Sequence, residues 1–172
     1  YSPGVGLDVV SHILEIVSGK PFDEIIDQRI LQPLGMDNTY FNVPAEYKSL
    51  RVNIKDRDMS RFLDRPPTKY FSASGGLTSS AEDYLRFEQM LLNGGELFGN
   101  RLLSPRSVRM MSSNQIGDLY KSFSRQQEGM GFGYTVAVTL DPITSNARRS
   151  AGAFGWGGAF GTRSWTDPEE KL

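Results

Sequence analysis

Few residue types in this sequence could carry covalent chemistry, and most known arrangements of them are missing. There is no cysteine, which removes thiolate nucleophiles, disulfides and zinc–thiolate sites together. The one histidine, His12, falls inside a helical pattern, where a lone imidazole serves structure far more often than catalysis. A Ser-His-Asp arrangement would depend on it, and a zinc site would need mostly carboxylates. No serine has a lysine three residues later, so an S-x-x-K nucleophile is absent from these residues. Gly19-Lys20 lacks the upstream glycine of a phosphate loop and runs into Pro21. The glycines between Gly152 and Gly161 miss the dinucleotide spacing, because Phe160 stands where the third would fall. Neither H-E-x-x-H nor a calcium loop occurs, and no cofactor is expected. What remains is residues 150–165, rich in glycine, aromatic and small residues, where glycines would let another backbone or a ligand approach a strand.

The bulk composition narrows the partners. The chain has 172 residues, enough for one domain with a core, and is 38% hydrophobic and 23% charged, as globular proteins are. Nineteen basic residues nearly balance twenty acidic ones, so no broad field steers the chain to nucleic acid or anionic lipid, and no nucleic-acid partner is expected. No apolar run approaches the ~20 residues of a membrane helix.

Several elements must position any site. Val5, Val9, Val10, Ile13, Leu14 and Val17 recur at helical spacing, which predicts a helix over Val5–Ser18. Gly19 and Pro21 stop it and start another, built on Phe22, Ile25, Ile26 and Ile30 and ended by Pro33 and Gly35, so that the two form a packed corner. Residues 36–70 read as a surface excursion, with short strands near 39–42 and a charge-rich, solvated run over 51–65. After the small-residue loop 71–76, Ser79 and Ser80 offer N-caps to a helix that ends at Gly94-Gly95. Ser104-Pro105 caps the next helix, through Val108 and Met111. Residues 132–140 alternate and are β-branched, which predicts one strand, and 150–165 could hold two more. Helices first and strands after predict an α+β fold, with helices packed on an antiparallel sheet.

The same segments carry a resemblance. Tyr1-Ser2-Pro3-Gly4 before a helix, then "SGKPFDEIIDQRILQPLGMDNTYF", "SGGLTSSAEDYLRFEQMLLNGG", "LLSPRSVRMM", "GMGFGYTV" and "GAFGWGGAFGTRSWTDPEEKL", are similar, in this order, to the β-lactamase and penicillin-binding-protein superfamily of serine hydrolases. The likeness is to class C-like β-lactamases and the esterases that share their fold, and it runs over nearly the whole chain. It implies a single partial β-lactamase/transpeptidase-like domain over residues 1–172, incomplete at both ends, with the S-x-x-K serine and lysine upstream of Tyr1. The chain alone is then expected to be inactive, with open sheet edges and exposed apolar patches.

Site residues follow by the same resemblance. Tyr1 matches the family's motif tyrosine, which implies a general base acting with the absent lysine; a phenol near pKa 10 needs such a positive neighbour to work near neutral pH. Pro3 stands where many members have asparagine and offers no side-chain amide. Trp156, Gly157 and Gly158 match the third motif and imply substrate binding, with an indole where β-lactam-recognising members carry a cation. The N–H of Ala159 is implied as one oxyanion donor. The implied substrate is a small ester, an amide or a D-amino-acid peptide rather than a carboxylate-bearing β-lactam. The alternative is a non-catalytic relative serving as a ligand-binding or scaffold domain, which Pro3 and Trp156 favour.

Overall fold

A computed structural model describes residues 4–52, 67–122, 128–158 and 160–172. The chain divides into two compact units, residues 1–84 and 85–172.

In the first unit, α1 (Val5–Ser18) ends on Gly19, whose φ of 68° is the left-handed conformation that glycine adopts without penalty. The chain then turns at Pro21 into α2 (Phe22–Ile26), which widens into a π-helical turn (Asp27–Leu31) and closes as α3 (Gln32–Leu34) on left-handed Gly35. Instead of the plain helix expected, the stretch is widened just before Pro33, which cannot donate to the carbonyl four residues back. Glu15 makes the corner: its carboxylate accepts the Phe22 N–H at 3.0 Å and its carbonyl accepts the Gly19 N–H at 2.8 Å. Phe22, Leu34 and Met36 are buried, and Phe41 bridges Phe22 and Phe71 at ring distances of 6.0 and 5.1 Å. A 3₁₀ segment (Ala45–Leu50) follows. The strands expected near 39–42 reduce to one antiparallel bridge, Tyr40 to Thr78. Most of the charge-rich run lies outside the described residues.

Most of the apolar stripe of α1 faces solvent: Val9 and Ile13 are 52% exposed and Val17 80%. Ser11 is the buried residue of this helix.

The helix α4 (Ala81–Leu92) crosses from the first unit into the second. Ser80 caps it as expected, its hydroxyl accepting the Asp83 N–H at 3.1 Å. The Asp83 carboxylate reaches off the helix and accepts the Asn38 N–H at 2.7 Å and the Thr39 hydroxyl at 2.9 Å, in a buried setting.

In the second unit, a two-residue hairpin, β1 (Glu96–Leu97) and β2 (Asn100–Arg101), leads to α5 (Pro105–Met111). The Ser104 hydroxyl caps α5 by accepting the Ser107 N–H at 3.0 Å. A 3₁₀ turn (Gly117–Ser122) precedes a four-stranded antiparallel sheet in sequence order: β3 (Met130–Phe132), β4 (Ala137–Thr139), β5 (Phe154–Gly157) and β6 (Arg163–Thr166). The single strand expected over 132–140 is therefore a hairpin. Its turn forms because Gly133 lies against the Met111 carbonyl, where a Cβ would collide, while the Tyr134 N–H donates to that oxygen at 3.0 Å. Thr135 takes a φ of 66° to complete the turn. Met90 and Leu91 of α4, Val108 of α5, and Val138, Ala153 and Phe154 of the sheet are buried. Glu88 of α4 accepts a hydrogen bond from the buried Thr166 hydroxyl of β6. Mixed helices and an antiparallel sheet make this an α+β fold, as the order of elements predicts.

Candidate active site

The strand β5 carries the second-unit part of the expected site. It pairs with β6 over its whole length, from Phe154↔Thr166 to Gly157↔Arg163. Its ladder with β4 covers only Val138↔Phe154 and Ala137↔Gly155, so Trp156 and Gly157 extend past the end of that ladder. Glycine is required at Gly155, where a Cβ would run into the Ser164 carbonyl. Gly158 continues the hairpin, donating its N–H to the Thr162 carbonyl at 2.8 Å. A side chain there would strike the Thr162 hydroxyl.

Trp156 is 39% exposed and meets the Phe132 ring edge-on, at 5.3 Å and 78°. Phe132 in turn packs on the buried Tyr120 at 5.3 Å. The Asn114 side-chain oxygen accepts the Phe132 and Ile116 N–H groups at 3.2 and 3.3 Å, tying the segment after α5 to β3. The indole thus stands at the end of an aromatic row. Nothing in the local sequence flags Phe132, Tyr120 or Asn114 as its support, since they lie 24 to 42 positions away in the chain.

The remaining candidate residues divide as follows. Trp156, Gly157 and Gly158 lie together at the β5 turn. Tyr1, Pro3 and Ala159 lie outside the described residues. In the first unit, His12 is exposed on α1 and, among the described residues, pairs with Glu15 at 3.2 Å. That hydrogen bond, with the Phe22 N–H, holds the Glu15 carboxyl below its usual pKa.

One organised polar cluster in the first unit was not singled out by sequence. Asp8, in the first turn of α1, accepts with Oδ1 from the Ser72 hydroxyl (2.8 Å), the Ala73 N–H (2.9 Å) and the Ser74 N–H (3.3 Å). The Ser72 hydroxyl first, then the Tyr70 hydroxyl and the loop amides, hold the Asp8 carboxyl below its usual pKa. The bond to Asp8 in turn pushes the Tyr70 phenol up. Among the described residues, no group of three or more His, Asp or Glu side chains is gathered as a metal ion would require. No described helix is long and apolar enough to cross a membrane.

The chain is similar to known proteins. The Beta-lactamase family model matches residues 1–172. Protein Rv1367c of Mycobacterium tuberculosis is 36% identical over 181 residues, covering 96% of this chain and 45% of that protein. Esterase EstB of Burkholderia gladioli is 29% identical over 195 residues, covering 96% of this chain and 47% of EstB. The solved structure of EstCE1, a hydrolase with promiscuous acyltransferase activity, superposes with a TM-score of 0.76 at 23% identity over 98% of this chain and 48% of that one; at that identity the likeness is one of fold. The chain spans about half the length of these relatives. With the family model matching from end to end and the α+β architecture in place, the chain belongs to the β-lactamase family.

Proposed function

We propose that these residues form a single partial β-lactamase-like domain of a serine hydrolase that acts on an ester or amide carbonyl through an acyl-enzyme. The observation that carries the reading is the β5 turn, where Trp156 and Gly157 extend past the β4 ladder and Gly158 follows them; the reading takes these three as the family's third motif. No serine here has the S-x-x-K spacing, so the reading takes the nucleophile and its lysine from sequence outside these residues.

In this scheme the serine Oγ attacks the carbonyl carbon and its proton passes to the Tyr1 phenolate, kept deprotonated by the lysine's charge. The Ala159 N–H and the nucleophile's own N–H hold the oxyanion. Tyr1 returns the proton to the departing alcohol or amine as the bond breaks, and water then hydrolyses the acyl-enzyme by the reverse route. The indole of Trp156 offers a flat apolar wall where a cation would bind a carboxylate, so the substrate is a small ester, or a peptide of D-amino acids, before a β-lactam.

The test assays the whole protein with p-nitrophenyl butyrate and a chromogenic cephalosporin. We expect ester turnover that falls by about 10²–10⁴-fold in Tyr1→Phe, the range a positioned acid–base group contributes. Undiminished turnover in Tyr1→Phe would sink the assignment. The 172 residues alone are expected to show none, since losing the nucleophile of such an enzyme costs on the order of a millionfold. A second reading, a non-catalytic ligand-binding relative, is favoured by Pro3 and Trp156; a gene without S-x-x-K would support it.

A further inference from the structure

We propose that the aromatic row of Trp156, Phe132 and Tyr120 is a subsite for a flat apolar group of the substrate, in which Trp156 makes the contact and Phe132 is the positioning residue that fixes the indole. The proposal rests on the reading of Trp156 as a substrate-binding residue, and it names the chemistry that residue takes and what orients it.

Trp156 stands where the strand gives a side chain little guidance. It pairs with Ser164 of β6 but lies beyond the last pair of the β4 ladder. Gly155 and Gly157 flank it and bring no side chain to hold it. The indole is 39% exposed, and an aromatic side chain so placed moves among its rotamers unless a neighbour selects one. Phe132 is such a neighbour: the two rings meet edge-on, with centroids 5.3 Å apart at 78°. Ring quadrupoles favour that arrangement over a face-to-face sandwich.

Phe132 can orient the indole because it is itself fixed. Its N–H donates to the Asn114 side-chain oxygen at 3.2 Å, and its carbonyl accepts the Gln115 N–H at 2.8 Å. The Asn114 amide also donates to the Gly117 carbonyl at 3.0 Å, and Gly131 lets Asn114 approach, since a Cβ there would strike its side chain. The Phe132 ring lies on the buried Tyr120 at 5.3 Å and 30°. A row anchored in buried structure at one end and open to solvent at the other presents its last ring already ordered, so a ligand does not meet the cost of ordering it. An indole takes a planar apolar group by offset stacking. None of the three rings brings a cation, so a carboxylate is not what this row selects.

The experiment uses the whole protein and two pairs of esters. p-Nitrophenyl acetate and p-nitrophenyl phenylacetate differ in the acyl group; methyl acetate and benzyl acetate differ in the alcohol. For each pair the readout is the ratio of kcat/KM, aromatic ester over small ester, relative to wild type. That ratio cancels intrinsic reactivity and the fraction of folded enzyme, so a merely structural loss leaves it unmoved. We expect Trp156→Ala to lower the ratio in at least one pair by about tenfold, and Phe132→Ala to lower the same ratio by about threefold to tenfold, the worth of an aromatic pair. Phe132→Tyr keeps the ring and should stay within about twofold of wild type. The pair that responds shows whether the acyl group or the alcohol lies on the indole. A ratio unchanged in Phe132→Ala but lowered in Trp156→Ala overturns the positioning role, and so does an equal loss in Phe132→Ala and Phe132→Tyr. If Phe132→Ala yields no turnover, Phe132→Leu, which fills the space without an aromatic edge, takes its place with the same outcomes. Ratios unchanged in Trp156→Ala overturn the subsite and, with it, the reading of Trp156 as substrate-binding. The acyl-enzyme reading fails separately, by undiminished turnover in Tyr1→Phe.

Discussion

Two helices of similar length and pattern, α1 and α4, meet opposite fates. On α4 the apolar residues of the last turn are covered, Met90 being 1% exposed and Leu91 4%, while Leu85 earlier in the helix is 64% exposed. On α1 an equally regular apolar stripe lies in water, with Ile13 52% exposed. Both helices carry an aspartate in the first turn that reaches off the helix to catch loop donors, Asp83 in one case and Asp8 in the other. The helix α4 is thus held by packing and by a buried carboxylate, whereas the first turn of α1 is tied to its loop by Asp8, a neighbour of the exposed stripe. The comparison teaches that a 3.6-residue apolar period marks a face that could be buried, while burial itself needs a partner from elsewhere.

The largest expected effect separates the two apolar faces. Met90→Ala should cost about 2–5 kcal/mol by urea denaturation of this chain, as removal of a buried Met side chain does. Ile13→Ala should change stability by no more than about 0.5 kcal/mol, as surface substitutions do. Equal losses would break the comparison and show that the face of α1 is covered in solution.

A smaller effect tests the buried carboxylate. Asp83→Ala leaves the Asn38 N–H and the Thr39 hydroxyl without this acceptor, and should cost about 1–3 kcal/mol in the same measurement. Removing the Ser104 cap of α5 by Ser104→Ala should cost about 1 kcal/mol.

The smallest effect concerns acid. The folded-state pKa of Asp8 lies below its ordinary value of 3.8, so its contribution is complete above that value and is lost as pH falls through the lower folded one. Urea midpoints measured from pH 5 downward should therefore fall faster below about pH 4 in the wild type than in Asp8→Asn. Parallel pH profiles would show that Asp8 is not tied to the loop in solution.

How much of this was legible beforehand depends on how far each cause reaches along the chain. Gly19 and Gly35 as helix stops and Ser80 and Ser104 as caps act within a few residues, and each is found where its type predicts. The ordered motifs likewise led to the β-lactamase family and to an α+β fold. Residues 132–140 failed for the opposite reason. Their β-branched alternation is real, but the Met111 carbonyl, 22 positions upstream of Gly133, turns the chain there.

The candidate site divides the same way. The glycines and the indole of the β5 turn could be named from sequence, because they stand in one short run that resembles a motif of the family. That Trp156 leans on Phe132, or that Asp8 gathers Ser72, Ala73 and Ser74, could not. By itself, then, the sequence determined where helices start and stop, which faces are apolar, and which family the chain resembles. Only the tertiary structure decided which apolar face is covered and which carboxylate holds a loop. Local propensities act through bonds within one or two turns, whereas those choices are made by contacts whose partners are tens of residues apart and meet only when the chain folds.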